Sequence, residues 1–359
     1  MQGDLSPTPA MNRREFLAGA TAAAMALPAL ASEPAPVATL PRWRGFNLPP
    51  FFGTWNSGKA VEEDFALVKE LGFDFVRLPM WYTLWTDPKD WRVVKEEVLA
   101  EIDRAVQFGA QYGLHVNLNL HRAPGFCIAP EPAEPFDLFT SAEALDAFRF
   151  QWELFTKRYE NIPSDRLSFN LVNEPKAKAA DYERVVRATL ETIRAVSPQR
   201  TVFIDGNMVA RLPMPELRDT GVVQSVHSYD PMPISHYKAS WVGHSDTWPV
   251  PTWPIMRDGK VGYGRESLEK LFKPWTDLAR SGVPVHCGEC GCFNQTPHDV
   301  FLAWFADVLD ILKQSSIGWA LWELRGPFGV LDSQRADVQY ENWRGHQLDR
   351  KLLELLKEN

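Results

Sequence analysis

Glu174 and Glu289 each close a short apolar stretch, FNLVNEP around the first and VPVHCGE at the second. Arg77, in VRLPMWY, sits in a similar setting. Burying an unpaired charge is costly, so all three must be paired, hydrated or at work. Two carboxyl groups suit glycosidic bond cleavage. One protonates the leaving oxygen, and the other attacks or activates water. A separation of about 5 Å would make the second a nucleophile and retain configuration, whereas a wider gap fits inversion. Neighbouring carboxylates raise one another's proton affinity, which keeps one protonated near neutral pH. An Arg and a Tyr hydroxyl nearby could keep the other ionised.

These residues need a scaffold. After Pro41 the chain alternates strand candidates with amphipathic helical patterns. The strands are read at 43–48, 73–78, 114–121, 167–173, 201–205, 222–229, 283–289 and 316–322. Helices are read at 60–71, 94–112, 141–160, 180–196, 265–281, 298–314 and 346–357, with 207–221 the weakest because proline breaks it. Alternating βα units imply a parallel sheet, and eight of them imply a closed (β/α)8 TIM barrel in one α/β domain. An open doubly wound sheet is the competing arrangement, but no G-x-G-x-x-G follows the first strand.

A barrel carries its chemistry at the C-terminal ends of its strands. Those ends read Asn47, Arg77, His121, Asn173 with Glu174, His227 with Tyr229, Glu289 and Trp322. Period-two alternation groups Phe73, Phe75 and Arg77 on one face, and likewise Asn117, Asn119 and His121. It also groups Ser225, His227 and Tyr229, then Val283, Val285, Cys287 and Glu289, then Gly318, Ala320 and Trp322. Singly, Arg77 could close a structural salt bridge, the histidines could be satisfied core residues, and Trp322 could be core. As an ordered set at strand ends they read as a site.

That ordered set resembles glycoside hydrolase family 5, the cellulase family of the retaining (β/α)8 clan, over residues 43–357. The resemblance implies that Glu174 is the acid/base and Glu289 the nucleophile. It implies that Asn173 bonds the sugar 2-hydroxyl and that Arg77 and Tyr229 hold Glu289 ionised. His121 and His227 would position the sugar and the acid/base, and Trp322 would stack beneath the sugar. The implied activity is an endo-β-1,4-glucanase on an oligo- or polysaccharide. Exo-acting β-glucosidase, β-1,3-glucanase and β-mannanase are alternatives, as are a mainly transglycosylating enzyme and a non-catalytic carbohydrate-binding barrel.

The rest of the chain bounds these readings. It has 359 residues, 45% hydrophobic and 23% charged, with net charge −8, so no global electrostatic pull toward nucleic acid or anionic membrane is expected. Residues 1–31 read as a twin-arginine-type signal: Arg13-Arg14, an apolar run, then Ala29-Leu30-Ala31. A leader at 32–41 and a catalytic domain at 42–359 follow. Export to the periplasm or outside, without stable membrane insertion after cleavage, is expected, as is a monomer. Cys287, Cys290, Cys292 and His286 raise a zinc alternative, but His286 and Cys287 should face apart, so no metal or cofactor is assigned. Cys127 stands alone after the third strand, and Cys290 could narrow the site or leave it open to oxidation. Arg325 with Asp332 reads as a local ion pair, and Glu323 as either a sugar contact or a rim charge. Trp81, Trp85 and, in the long 230–263 segment, Trp241, Trp248 and Trp253 could stack on sugar or anchor loops.

Overall fold

The computed structural model describes residues 40–359 except 55 and 130, so the signal and most of the leader lie outside the described residues. Eight strands close a barrel: β1 Arg44–Asn47, β2 Phe75–Trp81, β3 His115–Arg122, β4 Leu167–Asn170, β5 Val202–Asp205, β6 Val223–Ser228, β7 Val285–Cys290 and β8 Gly318–Leu321. Every neighbouring pair is parallel, and the order around the barrel follows the chain, with β8 returning to β1. The barrel reading holds, and the open sheet falls.

The outer helices are α1 Glu62–Glu70, α2 Glu96–Tyr112, α3 Ala142–Arg158, α4 Ala179–Val196, α5 Arg265–Arg280, α6 His298–Gln314 and α7 Arg350–Glu358. Two of them start on a side-chain cap. In α3 the Ser141 hydroxyl accepts from the Ala144 amide, while Phe148, Trp152 and Phe155 recur on one buried face. In α7 Asp349 caps the Leu352 amide, and Leu352, Leu353 and Leu356 are buried. Fully burying such a side chain contributes about 1.5–3 kcal/mol. Between β5 and β6 no long helix forms: a left-handed turn at Asn207–Ala210 and a 3-10 turn at Pro215–Thr220 replace it.

Several boundaries differ from the sequence reading: the strand read at 167–173 ends at Asn170, which leaves Asn173 and Glu174 beyond it. Phe73 precedes β2 and packs outside on Phe46 and Trp319, so it does not share the face of Phe75 and Arg77. The last helix begins at Arg350, because an antiparallel hairpin, Glu341–Trp343 with His346–Leu348, takes the residues before it. The barrel floor is filled by Trp43, Phe75, Phe203, Val223 and Ala320. His115 stacks on Trp43 at 3.6 Å between ring centres, and His286 packs on Phe75 at 4.8 Å. Polar groups occupy the barrel above this plug.

Candidate active site

Register brings the site together. Asn47 pairs with Arg77, and Arg77 with Asn117, so these side chains enter the barrel at one level. The Arg77 guanidinium is 1% exposed and has its donors engaged. Its Nε donates to Asn170 Oδ1 (3.0 Å) and its NH2 to Asn173 Oδ1 (2.8 Å). Its NH1 donates to Asn47 Oδ1 (2.9 Å) and to Glu289 Oε1 (2.6 Å). Tyr229 lies just past β6 and donates its hydroxyl to Glu289 Oε2 at 3.0 Å. Both oxygens of Glu289 therefore accept from fixed donors.

Glu289 reaches this place through an irregularity. His286 pairs with Ser225 and Cys287 with Val226, yet Glu289 pairs with His227. Gly288 is the extra residue, which makes a β-bulge. A Cβ at Gly288 would lie 2.5 Å from Ser225 Oγ and 3.3 Å from His227 Nε2, so a larger residue would have to displace one of these side chains. The bulge overturns the expected alternation: His286 and Glu289 face inward, while Cys287 and Cys290 join the helix-facing core. Cys290 therefore points away from the cleft. The thiols of Cys287, Cys290 and Cys292 contact the Glu289, Ala320 and Ile234 carbonyls, and all four cysteines are free.

Glu174 follows the end of β4 in a left-handed conformation, φ 48°. Its Oε1 lies 2.8 Å from His227 Nδ1. Asn173, beside it, donates to His121 Nε2 at 3.3 Å. Ring centres of His121 and Trp322 are 5.6 Å apart, and Phe52 meets Trp322 edge-on at 5.5 Å. The eight residues singled out in the sequence thus converge at the C-terminal mouth of the barrel. Six of them, His121, Glu174, His227, Tyr229, Glu289 and Trp322, border a cavity of about 970 Å³ whose walls include Trp81, Trp241, Glu323 and Phe328, while Arg77 and Asn173 are buried behind them.

Electrostatics divide the two glutamates. Burial lifts the Glu174 carboxyl, and the nearby negative charges of Glu289 and Asp205 add to it against the pull of His227. Burial also opposes ionisation of Glu289, but His227 and Arg77 overcome it and hold that carboxyl below its ordinary range. Burial drives His121 down to about 3, so it is a neutral ring, while Glu289, Asp205 and Glu174 keep His227 well above its ordinary value. Oxygens of Glu174 and Glu289 and a nitrogen of His227 lie within 4.8 Å of one another. One protonated and one ionised carboxyl at that spacing can run general-acid and nucleophilic steps together. Among the described residues this trio is also the one group spaced as metal ligands would be. Arg77 and Tyr229 already occupy Glu289, and the guanidinium repels a second cation, so a metal fits poorly.

The sequence reading missed Asp205 and Asn170. Asp205 ends the apolar stretch TVFID and is fully buried, the same signal that marked Glu289. Asn170 shares the inward alternation of Ser168. The expected Arg325–Asp332 pair does not form: Arg325 pairs with Asp64, and Asp332 with His346 at 2.7 Å. Trp85 is core, bonding Gln151, and Trp253 anchors its loop through Asp307 at 2.8 Å. Trp81 and Trp241 do face the cavity. Glu323 is no solvated rim charge: burial, opposed by the Phe328 backbone amide, lifts its carboxyl to about 8.

The chain matches the family model described as Cellulase (glycosyl hydrolase family 5) over residues 31–326. It is 24% identical over 307 residues to endoglucanase C of Acetivibrio thermocellus, covering 78% of this chain and 89% of that protein. A probable glucan 1,3-beta-glucosidase A of Emericella nidulans is 39% identical over 233 residues, 61% of this chain and 53% of that protein. A crystal structure described as a glycoside hydrolase superposes with a TM-score of 0.84 at 39% identity, covering 88% of this chain and 99% of that one.

Proposed function

The chain belongs to the cellulase family, glycosyl hydrolase family 5, and on that premise we propose a retaining, endo-acting β-1,4-glucanase. It is a cellulase-like β-glycoside hydrolase acting on O-glycosyl bonds. In the proposed reaction Glu289 attacks the anomeric carbon while Glu174 gives its proton to the glycosidic oxygen. The departing sugar leaves a glycosyl ester on Glu289. Glu174, now a carboxylate, takes a proton from water, which attacks the anomeric carbon and frees Glu289. Asn173 would bond the 2-hydroxyl, Trp322 would lie beneath the ring, and His121 and His227 would position sugar and acid.

One observation carries this reading: two carboxyl groups with oxygens within 4.8 Å and opposite proton affinities. That spacing is nearer the about 5 Å of retaining pairs than the 6.5 Å or more that leaves room for an inverting water. Exo action is a second reading. It is favoured by Trp241 and Phe328, which wall the cavity from the segments after β6 and β8. Product sizing on β-glucans, mannan, xylan and aryl glycosides separates the two: mixed oligosaccharides support endo cleavage, and a single small product supports exo. Export by the twin-arginine-type signal at 1–31 belongs to the same proposal and fits a polymeric substrate met outside the cytoplasm.

A further inference from the structure

Asp205 ends β5 with its side chain wholly buried, and the reaction scheme above gives it no part. A buried carboxylate survives only among partners that repay its lost hydration. Its Oδ1 accepts from Asn170 Nδ2 at 3.0 Å. Its Oδ2 accepts the backbone N–H of Glu174, also at 3.0 Å. The same Oδ2 lies 3.2 Å from His227 Nε2 and 3.6 Å from Arg77 NH2. Below it, the Tyr182 hydroxyl donates to the Asp205 carbonyl at 2.7 Å and fixes the strand end. One oxygen thus touches the backbone of Glu174 and the ring of the histidine that bonds the Glu174 carboxyl.

Counting charges shows what this does. Three carboxyl groups, Glu174, Asp205 and Glu289, surround His227, whose Nδ1 also lies 3.7 Å from Glu289 Oε2. Two cations are available, Arg77 and an imidazolium at His227. Asp205 and Glu289 balance them. The third carboxyl has no cation left and keeps its proton.

We propose that Asp205 is a positioning residue for the acid/base: its charge holds His227 as an imidazolium and leaves Glu174 as the carboxyl that carries the proton. This rests on the reading of Glu174 as acid/base. Glu174 and His227 share protons and titrate as a unit, so a negative charge beside them raises the proton affinity of the pair whichever member holds the proton. Removing that charge moves the basic limb of the pH–rate profile toward acid. The acid limb moves the same way, because Asp205 also raises the proton affinity of Glu289.

Other groups facing the cluster do not alter the sign. His121 and His286 are driven by burial to about 3, and His236, facing Glu289, to about 4. Burial holds Tyr182, Tyr229 and Cys127 in their protonated forms. Arg211 faces Glu174 as a cation and is paired with Asp230 at 2.7 Å.

The test is Asp205→Asn in the full chain, near the shape of the original without its charge. kcat/KM is measured against pH on a β-glucan and on a 2,4-dinitrophenyl β-cellobioside. The basic limb should fall by about one pH unit. The loss should be about tenfold greater on the glucan, because the dinitrophenolate departs with little proton help. Equal losses on both substrates with an unmoved limb would mean a merely structural role and overturn the proposal. Histidine-15N NMR of the wild-type protein gives a check independent of how the variant folds. His227 should carry protons on both ring nitrogens at pH 7, and a neutral ring overturns the proposal. If Glu174→Ala still cleaves the glucan at the wild-type rate, the assignment of Glu174 fails instead.

Discussion

Replacing Arg77 by methionine keeps much of its bulk and removes its charge and five donors. The guanidinium lies 2.6 Å from Glu289 Oε1, with both side chains almost fully buried. At an effective dielectric of about 20 and charge centres about 4 Å apart, their attraction is about 4 kcal/mol. That equals about three pH units of proton affinity at Glu289. The remaining charge at His227 and entering water offset part of it, so about two units is the expected rise. Asn47 and Asn173 also lose their Arg77 donor, at about 1–3 kcal/mol of stability each. The assay is kcat/KM for a dinitrophenyl β-cellobioside between pH 4 and 9, with near-UV circular dichroism confirming the fold. In the proposed reaction Glu289 works ionised, so the acid limb should climb by about two units in Arg77→Met. It should stay in place in Arg77→Lys, which keeps the charge and loses the fork. A folded Arg77→Met enzyme with an unmoved acid limb would refute the claim that Arg77 keeps Glu289 ionised.

Other outcomes follow from the same geometry. Glu174→Ala should lower turnover of a β-glucan by about 10²–10⁴ and spare the first step on a dinitrophenyl glycoside, read as a burst of dinitrophenol. Acid should unfold the protein through its neutral histidines. Burial holds His115, His121 and His286 at about 3, below the ordinary 6.5, so their contribution is full above 6.5 and is lost as pH falls toward 3. Each would cost up to about 1.4 kcal/mol per pH unit across that window, read from the urea midpoint against pH. Lysine at both Arg13 and Arg14 should leave the protein in the cytoplasm of a twin-arginine-competent host, and undiminished export would remove that signal assignment.

The barrel was legible because strands buried on both faces make apolar runs, and the helices between them carry a 3.6-residue period. Polar residues interrupting those runs near their ends, such as Arg77, His121 and Glu289, stood out for the same reason. Simple alternation failed at Gly288, since an added residue in one strand leaves no mark on composition, and it misassigned Cys287 to the face of Glu289. Asp205 carried a readable signal, a charge ending TVFID. Its importance lies in contacts with Arg77, His227 and the Glu174 backbone, which come from strands far apart in sequence. The tryptophans were ambiguous because an indole serves equally as a core residue or a flat wall. Trp85 and Trp152 fill the core, whereas Trp81, Trp241 and Trp322 line the cavity.

The central claim is that Glu289 forms a covalent bond to the sugar. A 2-deoxy-2-fluoro-β-cellobioside with a dinitrophenyl leaving group slows release of the glycosyl ester and lets it accumulate. After incubation and proteolysis, mass spectrometry should find one fluoroglycosyl adduct, carried on Glu289. Inactivation without an adduct, or an adduct on any other residue, would contradict the account.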